Sequence, residues 1–103
     1  RHLKEIISCK TLKSLHLHYS FVSLTDLDFN EKIESSIEEL KLKRVNWDFI
    51  CHLLKNVHFA NLKILSFTLR DNSLCLNDML DKLKILSQLT SLTISGSFYF
   101  LSN

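Results

Sequence analysis

Ile37-Glu-Glu-Leu40-Lys-Leu42-Lys43 sets apolar side chains at its first, fourth and sixth places and charged ones between and after them. The same spacing returns at Leu12/Leu15/Leu17, Leu62/Leu65/Phe67 and Leu89/Leu92/Ile94. All twelve anchors are apolar in a chain that is 46% apolar. Random placement gives that agreement with a probability on the order of 10⁻⁴ for one frame. Successive copies thus recur at a period of roughly 25 residues, which marks a fold made by stacking one short unit.

Within each copy the residues alternate as an extended strand requires, because successive side chains point to opposite faces. Leu15 and Leu17 share one face, and Ser14, His16 and His18 the other. Leu40 and Leu42 likewise oppose Glu39, Lys41 and Lys43. In the third and fourth copies Ile64, Ser66 and Thr68, then Ser91, Thr93 and Ser95, point away from the apolar side. Strands of about five residues that alternate with helices of about nine to twelve pair in parallel, since each crossover must be a helix or a long loop.

The four anchor triplets and the stretches between them resemble the leucine-rich repeat family over nearly the whole chain. The unit length is similar to that of the cysteine-containing and ribonuclease-inhibitor-like subclasses. Leu3-Lys-Glu-Ile6-Ile7-Ser-Cys9-Lys-Thr-Leu12 resembles the end of a cysteine-containing repeat, where a helix closes with Cys ahead of the next strand. Where the family pattern places Asn or Cys after the strand, this chain has Ser20, Val45, Arg70 and Ser97. The resemblance implies an α/β solenoid, a short right-handed arc with parallel strands on its concave face and helices and loops on its convex face. It also implies a protein-interaction module, either the substrate-recognition part of an F-box-type ubiquitin ligase or the sensor or autoinhibitory region of a nucleotide-binding innate immune receptor.

A length of 103 residues supports one structural unit and not two domains. The repeats are expected at about 12–36, 37–61, 62–88 and 89–103, the last partial, with 1–11 as the tail of a preceding repeat. That arrangement leads us to expect a stretch of a longer array. Thirteen basic and eleven acidic side chains leave a formal charge of +2, too balanced to point to nucleic acid or an anionic membrane as partner. No apolar run approaches the roughly 20 residues that cross a bilayer. Three scattered cysteines, Cys9, Cys51 and Cys75, and the absence of any Asn-x-Ser/Thr acceptor point to reduced thiols in a cytoplasmic or nuclear protein.

Between the strands, residues 3–9 predict a short helix with Leu3, Ile6 and Ile7 inward. The stretch 19–36 is irregular, with Phe21, Val22, Leu24, Leu27 and Phe29 too dense for one period. A helical turn over 30–35, capped by Asn30, is predicted there. Asn46 is a predicted N-cap for a helix whose stripe is Trp47, Ile50, Leu53, Leu54 and Val57. Asn77 is the predicted cap of another, with Asp78 and Asp81 in its first turn and Leu76, Leu80, Leu83 and Leu86 buried. Gly96 is the single glycine and there is no proline, so loops fall to Asn, Asp and Ser.

The candidate partner-binding residues are the outward strand positions Ser14, His16, His18, Glu39, Lys41, Lys43, Ser66, Thr68, Ser91 and Thr93, with Tyr19 and Arg44 at the rim. They run from histidines through a lysine strip to small hydroxyls, a pattern suited to another protein. Simple solvation of the wet sheet face is the competing account. His16 and His18 share a strand face, but zinc needs three or four ligands and no further one is positioned. Cys51 and His52 sit about 100° apart on a helix, which is wrong for a thiol and its base. Cys51 therefore reads as a small buried filler. Phe98-Tyr99-Phe100-Leu101 is either the buried beginning of another repeat, which the broken repeat favours, or an exposed contact patch. No phosphate-cradling loop, carboxylate pair or Ser/His/Asp set appears, so neither an enzyme nor a cofactor is expected.

Overall fold

The computed structural model describes residues 3–18 and 32–101. In chain order the elements are α1 (Leu3–Ile7), β1 (Ser14–His18), β2 (Ile33–Ser35), β3 (Glu39–Val45), α2 (Trp47–Asn56), β4 (Val57–Phe59), β5 (Ile64–Leu69), β6 (Ser73–Cys75), α3 (Leu76–Leu83), β7 (Ser91–Gly96) and β8 (Tyr99–Leu101). The protein is α/β. One four-stranded sheet runs β1-β3-β5-β7, and two pairs, β2-β4 and β6-β8, stand apart from it. Every strand pairing among the described residues is parallel.

The anchor leucines explain that order. Leu15, Leu40, Leu65 and Leu92 face one another across the sheet, and Leu17, Leu42, Phe67 and Ile94 form the next row. A slip by one residue would turn both rows to water, so the apolar alternation holds the register. The first anchors of the middle copies, Ile37 and Leu62, are 0% and 1% exposed. Burying a leucine-sized side chain in this way contributes about 1.5–3 kcal/mol. Burial fades at the last strand, where Leu92 is 43% exposed, against the inward placement expected for it. β7 is an edge strand, and among the described residues nothing covers that side of Leu92 fully.

Backbone bonding repeats with the sequence. The Lys13 carbonyl accepts the Glu38 and Glu39 amides, Glu38 accepts those of Lys63 and Ile64, and Lys63 accepts those of Thr90 and Ser91, each time at 2.8 and 3.0 Å. One carbonyl thus holds the amides of the next strand's first residue and of the residue before it, three times over. Such bonds satisfy groups that would otherwise be stranded where a strand begins.

Several elements differ from expectation for local reasons. Leu3 and Ile7 bury one line of α1, but Ile6 lies 41% exposed, because so short a helix has room for one stripe only. Ile33–Ser35 forms β2, paired with Val57–Phe59, and not a helical turn. Ile33 and Ser35 bury opposite Val57 and Phe59, and between them Glu34 pairs with His58 at 2.7 Å. Cross-strand partners outweighed the local helical spacing. The remainder of the irregular stretch, with Asn30, and the rim residue Tyr19 lie outside the described residues. Val57 is buried as expected, but in β4 and not in the helix.

Asn46 holds the N-cap position of α2, with φ −85° and ψ 155°, yet its side chain makes no capping bond. The first helical amide, Trp47 N–H, donates instead to Asp71 Oδ1 at 2.8 Å, from the loop after β5. Trp47 Nε1–H donates to Asp78 Oδ2 at 3.1 Å, and its ring lies 6.1 Å from that of Phe67. A buried tryptophan thereby ties one copy to the next. In α3 the N-cap is Cys75, at the end of β6, and not the expected Asn77; Asp81 falls beyond the first turn. Met79 and Leu83 are the buried pair, while Leu76 and Leu80 are 39% and 51% exposed. Starting the helix directly after β6, whose Leu74 is buried, rotates the inward line onto Met79. Leu86 is buried just past the helix end.

Candidate functional site

The open face of the main sheet collects the outward strand residues into rows. Ser14, Glu39, Ile64 and Ser91 form the first row, and His16, Lys41, Ser66 and Thr93 the second. His18 faces Lys43, and Thr68 faces Ser95. Four strands spaced about 4.8 Å apart make this surface roughly 14 Å wide. All ten strand positions expected to share a face therefore do so. Ser14, His16, Lys41, Lys43, Ser91 and Thr93 are exposed; His18, Glu39, Ser66 and Thr68 are partly so.

Charge divides the face. The β3 strip carries Glu39, Lys41 and Lys43, and Lys41 Nζ lies 3.6 Å from Glu39 Oε2. An exposed pair of this kind adds about 0–1 kcal/mol, so it leaves the lysine available to a competing carboxylate. β5 and β7 present short hydroxyls, and Thr68 Oγ1 hydrogen-bonds Ser95 Oγ at 3.1 Å. A low, neutral half beside a taller cationic strip lets a partner approach closely at one end and pair its acids at the other.

Arg44 leaves the alternation. Leu42 pairs with Phe67 and Val45 with Leu69, so Lys43 and Arg44 together face the single residue Thr68. This bulge returns Val45 to the interior, where it is 0% exposed, and puts Arg44 outside at φ +60°. Regular alternation would have driven an arginine into the core and a valine into water. Arg70 follows β5 at the same end of the sheet, its amide donating to the Val45 carbonyl at 3.0 Å. The alternation rule omits Arg70, because it lies beyond the strand. The signal that finds it is its place in the repeat, about one period after Arg44.

The thiols have separate settings. Cys9, Cys51 and Cys75 form no disulfide. Cys51 is only half-buried where a buried filler was expected, since α2 turns Ile50, Leu53 and Leu54 inward and leaves Cys51 at the margin of that stripe. Burial, and then the nearby Asp78 carboxylate, push its thiol above the usual range. His52 Nδ1–H donates to the Asp48 carbonyl at 2.9 Å, so it is turned along its own helix and not toward Cys51. Cys9 is exposed, and the side-chain and backbone groups of Thr11 hold its thiol below the ordinary value. Phe98 is partly covered, and Tyr99, Phe100 and Leu101 are 64%, 42% and 48% exposed.

Among the described residues no three His, Cys, Asp or Glu side chains gather as a metal site. Among them, too, no helix is long and apolar enough to cross a membrane. Comparison with protein-family models, curated proteins and solved structures finds no match to this chain.

Proposed function

We propose that the chain is a short leucine-rich repeat solenoid that binds another protein along the open, concave face of its four-stranded sheet. The observation that carries this reading is the register that aligns His16, Lys41, Ser66 and Thr93 in one row. Parallel strands in strict order turn residues far apart in sequence into one continuous surface, and stacked units commonly use such a surface for recognition. The thrice-repeated carbonyl bond at the beginning of each strand supports a stack of like units. Three cysteines outside any disulfide support a cytoplasmic or nuclear setting. Substrate recognition within an F-box-type ubiquitin ligase is the role that goes with the cysteine-containing resemblance.

Capture from cell extract by the immobilised chain tests the reading. Lys41→Glu with Lys43→Glu reverses the strip, and Lys55→Glu on α2 serves as the control, with circular dichroism to show that each variant folds. We expect a protein retained by the control and lost from the double variant. Equal retention by all three forms would reject the sheet face as the binding surface.

A further inference from the structure

We propose that the rim at the carboxyl ends of β3, β5 and β7 binds an oxyanion of the partner, a phosphoryl or carboxylate group on one of its side chains. This deepens the protein-binding reading and rests on it. A shallow depression of about 510 Å³ lies at this rim, walled by Arg44, Thr68, Arg70, Asn72, Gly96 and Ser97. Among the described residues its lining includes two arginines and no carboxylate residue. Guanidinium forks match the paired oxygens of phosphate and carboxylate groups. Thr68, Ser97 and Asn72 add neutral hydrogen-bonding groups beside them.

Two backbone features shape the depression. At Arg44 the bulge and its φ of +60° turn the side chain out of the pleat and toward the rim. The left-handed conformation disfavours a residue with a side chain, and bulges commonly re-aim side chains next to binding sites. Arg44 makes no ion pair among the described residues. At Gly96, φ is +131°, and a Cβ atom would come within 2.7 Å of the Leu69 carbonyl. Only a bare backbone lets β7 close down on the end of β5 there, which keeps the floor low. The volume exceeds a single oxyanion and suits the side chain that bears it.

The test is a nuclear magnetic resonance titration of the whole chain with inorganic phosphate, and separately with acetate, chloride holding ionic strength constant. We expect saturable shifts at the amides of Arg44, Thr68, Arg70, Gly96 and Ser97. Arg44→Gly keeps the left-handed backbone and should weaken phosphate binding by at least about tenfold, the loss expected for one charge-assisted hydrogen bond. Arg70→Gln serves as a second variant with the same expected direction. Saturation by phosphate alone assigns a phosphorylated side chain, and saturation by both anions assigns a carboxylate as sufficient. Shifts that merely follow ionic strength, or wild-type affinity in Arg44→Gly, would overturn the proposal. Because the probes are free anions, these outcomes do not depend on whether Lys41 and Lys43 hold a partner.

Discussion

Arg44, Gly96 and the cysteines each set a local condition that a single substitution isolates. A side chain in the left-handed region costs about 1–2 kcal/mol, and Arg44 bears that strain at φ +60°. Arg44→Gly should therefore leave stability unchanged or raise it by up to about 1 kcal/mol in urea unfolding, glycine's extra chain entropy offsetting part of the gain. A marked loss would mean that the guanidinium holds the bulge. Gly96→Ala should destabilise by about 1–3 kcal/mol, because its new Cβ meets the Leu69 carbonyl at 2.7 Å. The thiols separate by reactivity. A pKa held low, as at Cys9, means more thiolate at a given pH, and one pushed up, as at Cys51, means less. At pH 8, Cys9 should react with a disulfide reagent well before Cys51, and Thr11→Val should slow it. Mass spectrometry of the labelled peptides would report the order, and Cys51 reacting first would contradict it.

Helix α2 begins on an acceptor borrowed from the neighbouring copy. Asp71 Oδ1 takes the Trp47 amide at 2.8 Å, and the Asn46 side chain makes no capping bond. Its negative charge also suits the positive end of the helix dipole. Removing an N-cap acceptor costs about 0.5–2 kcal/mol, so Asp71→Ala should destabilise by about that amount. Asn46→Ala should cost only a few tenths of a kcal/mol, the reverse of what local sequence alone suggests. Urea midpoints for the two variants check the ranking, and an equal or larger loss for Asn46→Ala would return the cap to Asn46. The Trp47 Nε1–H bond to Asp78 joins α2 to α3, so the cost of Asp71→Ala should fall on both helices together.

Across the molecule the same leucine position meets several environments. Leu40 and Leu65 are 2% and 1% exposed, Leu15 is partly buried, and Leu92 is 43% exposed. Leu65→Ala should cost about 2–5 kcal/mol, the range for a fully buried leucine. Leu92→Ala should cost under about 1.5 kcal/mol, because much of its surface already meets water. Amide exchange should follow the same gradient, slowest in β3 and β5 and faster in β7, whose outer edge is unpaired among the described residues. Exchange in β7 as slow as in β5 would show that its edge is covered in solution. Leu92, Tyr99, Phe100 and Leu101 are 43%, 64%, 42% and 48% exposed.

Parallel strands at the four anchor stretches, and the face each side chain takes, were already contained in the order of residues, because strand alternation nested within a longer repeat has one compatible register. The outward row of His16, Lys41, Ser66 and Thr93 follows from the same alternation. Position-specific contacts were not contained there. The bulge that expels Arg44, the cap that Asp71 lends to α2, the strand at Ile33–Ser35 and the inward turn of Met79 depend on partners in a neighbouring copy, or on the angle at which the chain enters an element. Local propensity carries no knowledge of such neighbours. The rim formed around Arg44 and Arg70 exists for that reason: the pairing of β3 with β5 brings together two arginines about one sequence period apart.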